Sequence, residues 1–114
     1  MRLSRTHRPN APSASAAAIV VTLAAGSAFA GDQADPGKLA NLVRHDCGSC
    51  HGLTLKGGLG KPLTAERLLQ RDRDQLAQII LDGIPGTPMP PWRPLLTEAE
   101  ARWIAEALKS GSLR

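Results

Sequence analysis

The sequence predicts an all-α protein of three to four helices joined by loops, following an N-terminal leader. Three observations carry that prediction. Helix-start signatures recur at Asp35-Pro36, Asp72-x-x-Gln75 and Thr97-x-x-Glu100, each pairing a capping side chain with a proline at the first helical position or with Glu or Gln three residues on. Apolar residues then recur at three- and four-residue spacing, which places them on one side of a helix. No segment carries a strand signal, and five of the nine prolines crowd into residues 84–94, a density that no helix interior or central strand accepts.

Residues 1–30 have the anatomy of a secretory signal peptide. Arg2, Arg5 and Arg8 form a basic start, an apolar stretch runs from about Ala16 to Ala25, and Ala28-Phe29-Ala30 is a small-residue cleavage signal with the cut before Gly31. The stretch is short and rich in alanine, weaker than the ~20 strongly apolar residues that a membrane span wants. It has no Arg-Arg pair, which favours general secretion over the twin-arginine route. The expected organisation is therefore a leader, 1–30, and one domain, 31–114, with an uncleaved membrane anchor as the alternative.

Loss of the leader removes three of the 14 basic side chains and none of the 10 acidic ones, leaving 11 against 10. A charge so balanced does not support a nucleic-acid footprint. The remaining chain has no Phe and no Tyr, and its only aromatics besides histidine are Trp92 and Trp103. A domain of this size has difficulty filling a core unaided. A disulfide between cysteines three apart would close a tiny loop and constrain little. A flat apolar cofactor would supply the missing volume.

After a short polar lead-in, Asp35-Pro36 opens a helix with Leu39, Leu42 and Val43 on one face, running into His45-Asp46-Cys47. Residues 52–63, GLTLKGGLGKPL, form a glycine-rich loop, and Thr64 to Gln70 a helical turn or two. Asp72 starts the next helix, with Leu76, Ile79 and Ile80 as its buried stripe and Gly83 as its stop. Residues 84–94, IPGTPMPPWRP, are a stiff loop. Thr97 opens the last helix, with Ala99, Trp103, Ile104, Ala107 and Leu108 on one face and its end near Gly111.

Cys47-Gly48-Ser49-Cys50-His51 matches the c-type haem attachment motif. Cysteines at i and i+3 lie about one helical turn apart, so both sulfurs reach one edge of the ring while the adjacent imidazole points at the iron. Gly48 and Ser49 are small enough for close approach. A structural zinc site needs four ligands, and Cys47, Cys50, His51 and His45 are crowded into seven residues. A thioredoxin-like dithiol expects neighbouring strands. One covalently bound haem c is the expected cofactor, with Cys47 and Cys50 as thioethers and His51 on the iron.

Met89 is the only methionine beyond the leader, 38 residues past His51 in the proline-rich loop. On no helical face, it is the expected second axial ligand rather than a core filler. A thioether favours ferrous iron and raises the potential, and the prolines limit the loop's alternatives. His45 is the rival ligand, although it stands on the attachment side, two residues before Cys47. An iron left open to small ligands is the other alternative.

On these residues the chain resembles a class I cytochrome c over positions 35–111, through Cys47 to His51, Gly60 to Leu63, Met89-Pro90-Pro91-Trp92 and the capped last helix. CGSCHGLTLKGGLGKPLT with GIPGTPMPPW is similar, more narrowly, to the small exported monohaem cytochromes encoded beside the nitrite reductase that carries haem c and haem d in denitrifying bacteria. The resemblance implies helices wrapped around one haem, with His51 proximal and Met89 distal. It also implies that a Gly-Pro-x-Leu stretch offers a backbone carbonyl to the histidine's other N–H. Here that stretch is Gly60-Lys61-Pro62-Leu63, with lysine where proline is usual. Trp103 resembles the aromatic by which the last helix crosses the first. Trp92 either packs on the haem, donates to a propionate, or simply packs in its loop.

Lys56 and Lys61 flank the glycine loop, as steering charges for an acidic partner or as ordinary solvated lysines. Arg71-Asp72-Arg73-Asp74 reads as a solvated helix start of balanced charge. The implied function is that of a periplasmic, monomeric electron carrier and not an enzyme. Its implied partners are a quinol-oxidising cytochrome complex upstream and the haem-d nitrite reductase downstream. An accessory in haem d maturation, and an open-site ligand sensor or peroxidase, are the alternatives.

Overall fold

The computed structural model describes residues 9–12 and 33–113, so the expected leader, apart from residues 9–12, and its cleavage site lie outside the described residues. In chain order the elements are α1 (Pro36–Leu42), a π-helical stretch (Val43–Cys47), α2 (Gly48–His51), α3 (Ala65–Leu68), α4 (Arg73–Asp82) and α5 (Glu98–Ser110). The first three follow one another without a break. The result is four helical bodies, and no strand among the described residues.

The start signals act as their chemistry requires. An Asp35 side-chain oxygen accepts from the Gly37 and Lys38 N–H groups at 3.0 and 3.1 Å, with Pro36 in the first turn. Asp72 accepts from the Gln75 N–H at 2.9 Å and caps α4. At α5 both arms of the capping box are made: Thr97 Oγ1 accepts from the Glu100 N–H at 3.2 Å, and the Glu100 carboxylate accepts from the Thr97 N–H at 2.9 Å. Gly111, at φ 71°, ends that helix in the left-handed conformation.

α5 is the brace of the molecule. It packs most extensively on α4 and also touches α1 and α3. The largest fully buried side chains are Leu39 and Val43 of the first helical run, Leu81 of α4 and Ile104 of α5. Leu55, Leu68 and Leu96 complete the core from the glycine loop, α3 and the approach to α5. Ala101 and Ala105 are wholly buried, which lets neighbouring backbones approach closely.

Two details correct the sequence-based expectation. On α4 the core-facing pair is Ala77 and Leu81; Leu76 and Ile80 pack at the margin, and Ile79 is 37% exposed. The large apolar residues drew the expected stripe, but where two helices meet closely it is the small residue that faces the partner. On α5, Ala99 is exposed, while Ala101 and Ala105 join Ile104, Ala107 and Leu108 inside. A helix touched by three neighbours is buried over a wider arc than one stripe.

Charges line the α4–α5 seam. Arg93 pairs with Asp82 at 2.6 Å, and Arg102 with Asp74 at 3.3 Å. All these side chains are about half exposed, so each pair is worth at most about 1 kcal/mol and the apolar contact dominates. Near the end of α5 the Lys109 ammonium donates to the Arg71 carbonyl and ties down the segment after α3.

Ile104→Ala is therefore expected to cost about 2–5 kcal/mol, and Thr97→Ala about 1 kcal/mol. Leu69→Ala, at a site 64% exposed, should cost far less than Ile104→Ala. Guanidinium unfolding of the intact protein measures all three, and equal losses at Ile104 and Leu69 would contradict the central place of α5.

Candidate functional site

The site is built from two arms of chain held on the same core. The first is the run from Val43 to His51. The Gly48 N–H reaches back to the Val43 carbonyl, a five-residue step that widens the helix by one residue just before the Cys-x-x-Cys pair. Ser49 Oγ donates to the Asp46 carbonyl at 2.7 Å. Cys47 is half-buried, Cys50 exposed, and both thiols are free. Burial, aided by the neighbouring Asp46 carboxylate and then by Cys50, pushes the Cys47 thiol up to about 11. Such a thiol is a poor nucleophile at neutral pH, unlike the activated cysteine of a redox disulfide. Among the described residues no group of three or more His, Cys, Asp or Glu side chains is gathered to hold a metal ion.

His51 closes the run. Its Nδ1 lies 2.6 Å from the Lys61 carbonyl oxygen. A carbonyl can only accept, so Nδ1 carries a proton, and in the neutral ring the lone pair lies on Nε2. The expected carbonyl is therefore present, supplied by the lysine. Gly60 makes the approach possible: a Cβ there would stand 2.7 Å from His51 Cε1 and Nδ1. The loop is sewn to the same segment by the Gly57 N–H on the His51 carbonyl and the Gly60 N–H on the Cys50 carbonyl, both at 2.8 Å. Leu55, buried in spite of a left-handed φ of 59°, accepts from the Leu63 N–H at 2.9 Å and closes the loop.

The second arm carries Met89, which is half-buried. It is bonded to the end of α4 and not to the Cys47–His51 segment. The Ile84 N–H donates to the Met89 carbonyl at 3.2 Å, and the Trp92 and Arg93 N–H groups donate to the Ile80 and Leu81 carbonyls at 3.1 and 3.0 Å. The bonds from Trp92 and Arg93 satisfy carbonyls that a helix end leaves without partners. Thr87 Oγ1 donates to the Ile84 carbonyl at 2.6 Å and accepts from the Met89 N–H at 3.3 Å. Gly83, at φ 67°, lets the loop fold back, because a Cβ there would meet the Met89 oxygen at 2.7 Å. The Arg93 guanidinium clamps the arm to Asp82.

Other expected residues take modest places. His45 is exposed on the π-helical stretch, and Lys56 and Lys61 are exposed. Trp92 and Trp103 are half-buried against the core. Asp74 of the Arg71–Asp74 run pairs with both Arg73 and Arg102. The Thr87 relay and the Arg93–Asp82 clamp were not foreseen. A threonine two residues before the methionine was a usable signal for the first; nothing in the sequence joins Arg93 to Asp82.

The donor chemistry fits an attached haem: two thiols three residues apart, an imidazole presenting an unprotonated Nε2, and a thioether on a separately anchored loop. The chain's relatives point the same way. Residues 32–106 match the family described as cytochrome c oxidase, cbb3-type, subunit III. The chain is similar to a cytochrome c55X of Paracoccus denitrificans, 58% identical over 93 residues that span 80% of this chain and 90% of that one. It is 49% identical over 76 residues to a cytochrome c55X of Pseudomonas aeruginosa, spanning 67% of this chain and 64% of that one. A solved c-type cytochrome, NirC, superposes with a TM-score of 0.66 at 47% identity, covering 68% of this chain and 91% of that one.

Gly60→Ala is expected to displace the His51 ring at a cost of about 1–3 kcal/mol. Gly37→Ala, whose Cβ would meet nothing nearer than 3.5 Å, should be neutral or stabilising. Paired urea unfolding curves test this, and equal effects would show that the ring does not lie against Gly60.

Proposed function

This chain belongs to the c-type cytochrome family described by the cbb3-type oxidase subunit III, and from that premise we propose that it is an exported monohaem carrier of single electrons. In this proposal Cys47 and Cys50 would hold one haem c by thioether bonds, and His51 and Met89 would bind its iron. Haem c, when bound, supplies an iron that alternates between the ferric and ferrous states. The observation that carries the proposal is the His51 ring, whose Nδ1–H is engaged by Lys61 at 2.6 Å so that Nε2 alone is left to bind a metal. That bond also raises the basicity of Nε2.

Filling both axial positions with protein leaves no place for a substrate, which suits a carrier rather than an enzyme. The Met89 arm favours constancy of its ligand in both oxidation states. Its backbone is bonded at Ile84, Thr87, Trp92 and Arg93, so little reorganisation accompanies a change of charge. No helix among the described residues is long and apolar enough to cross a membrane. With the leader of residues 1–30 removed, the domain of residues 31–114 would work in the periplasm. The partners proposed, on the resemblance of CGSCHGLTLKGGLGKPLT and GIPGTPMPPW, are a quinol-oxidising complex as donor and a haem-d nitrite reductase as acceptor.

Met89→Ala should lower the reduction potential and open a coordination position, with the fold kept. Redox titration and carbon monoxide binding to the ferrous protein read both effects, and an unchanged potential and spectrum would remove Met89 from the iron. Stopped-flow mixing of the reduced protein with oxidised haem-d nitrite reductase tests the partner. Transfer fast enough to sustain nitrite turnover is expected; slow transfer from a protein with an intact His/Met spectrum would eliminate the donor role and leave the maturation role in its place.

A further inference from the structure

The bond between His51 and Lys61 depends on where the Lys61 carbonyl points, and one torsion, ψ of Lys61, turns that carbonyl about its Cα. The next residue is Pro62. A proline crowds the N–H and Cβ of the residue before it, excludes the α region there and holds ψ near ~+120 to +160°. The Pro62 ring is itself seated. It packs on Gly57, where a Cβ would come within 3.2 Å of Pro62 Cγ. The Gly57 N–H in turn donates to the His51 carbonyl at 2.8 Å, and Leu63, on the other side of the proline, donates to the Leu55 carbonyl at 2.9 Å. Pro62 thus stands between two bonds that fix the loop, one of them to His51 itself.

We propose that Pro62 is a positioning residue for His51: by restricting ψ of Lys61 it holds the carbonyl on Nδ1–H and so sets how strongly Nε2 donates to bound iron. The inference rests on the proposal that His51 is an axial ligand. A proline at 61 would fix φ of that residue, whereas a proline at 62 restricts ψ, the torsion that aims the carbonyl. The Lys61 side chain, exposed to solvent, has no part in the bond and is free to vary.

Two consequences have opposite signs and can be told apart. Losing the carbonyl makes Nε2 a weaker donor, which destabilises ferric iron and raises the potential. Loosening the loop so that water enters would stabilise the charged ferric state and lower it.

The test uses the haem-loaded protein and its Pro62→Ala and Lys61→Ala variants. NMR of the ferric state follows the His51 Nδ1–H resonance and its exchange with solvent, and a redox titration gives the potential. In Pro62→Ala, exchange is expected to accelerate about tenfold, the equivalent of one net hydrogen bond, and the potential to rise; Lys61→Ala should leave the exchange rate unchanged. Unchanged exchange in Pro62→Ala, equal acceleration in Lys61→Ala, or a fall in potential in Pro62→Ala would each overturn the proposal. Should Pro62→Ala not fold, the unaltered protein decides: a His51 Nδ1–H that exchanges as fast as a free imidazole N–H overturns it, and one slowed relative to its free rate as much as the Leu63 amide is relative to its own supports it. Absence of a hyperfine-shifted His51 ring in the unaltered protein would instead remove the ligand assignment, and this proposal with it.

Discussion

His51 has one nitrogen to offer, because the N–H of the other donates to the Lys61 carbonyl, 2.6 Å away. Much of the surrounding structure exists to keep that arrangement. A buried or half-buried imidazole without a partner for Nδ1 would drift between tautomers and orientations. Here the glycine loop brings a carbonyl to it, and the loop is bonded at Gly57 and Gly60 to the very segment that carries the ring. The bond's direction, the loop's closure and the absence of a side chain at Gly60 are one constraint seen from three sides.

The second donor obeys a different logic. Met89 is not bonded to the cysteine segment; its loop is an extension of the end of α4, whose last carbonyls it satisfies. The two arms keep a fixed relation only because the helices behind them share a core. Leu39 and Val43 of the first helical run and Leu81 near the end of α4 share one core with Ile104, Ala101 and Ala105 of α5. α5 carries none of the proposed ligands, yet it determines their relative positions. The freedom of the methionine loop is removed by backbone bonds, by five prolines and by the Arg93–Asp82 pair.

The legible features were those set by near neighbours in the chain. Asp35, Asp72 and Thr97 cap helices through bonds spanning two or three residues, and Gly83 and Gly111 end them for the same local reason. The Cys47-to-His51 motif is likewise local, since both cysteines and the histidine fall within five residues. Less legible was the face each helix buries. Ile79 was expected inside and is 37% exposed, while Ala77, an unremarkable alanine in the sequence, faces the core. Burial depends on which helix lies opposite and how near it comes, and neither is recorded in the periodicity of one segment. The π-helical step that ends at Cys47 was also invisible, because it differs from an α-turn only in which carbonyl the Gly48 N–H chooses.

By itself the sequence determined the helical class, the caps and stops, the cysteine-histidine motif and the single methionine of the proline-rich loop, because each is a property of residues within a few positions of one another. It also placed Lys61 where the resemblance to class I cytochromes c implies a proline, without showing what that change does. Only the tertiary structure decided that the Lys61 carbonyl still meets His51, that Pro62 stands where it can hold it there, and that Arg93 reaches Asp82 across the methionine loop. These are contacts between residues about ten apart, made when a loop folds back upon a helix. Their geometry is set by the packing of α1, α4 and α5, which no local pattern encodes.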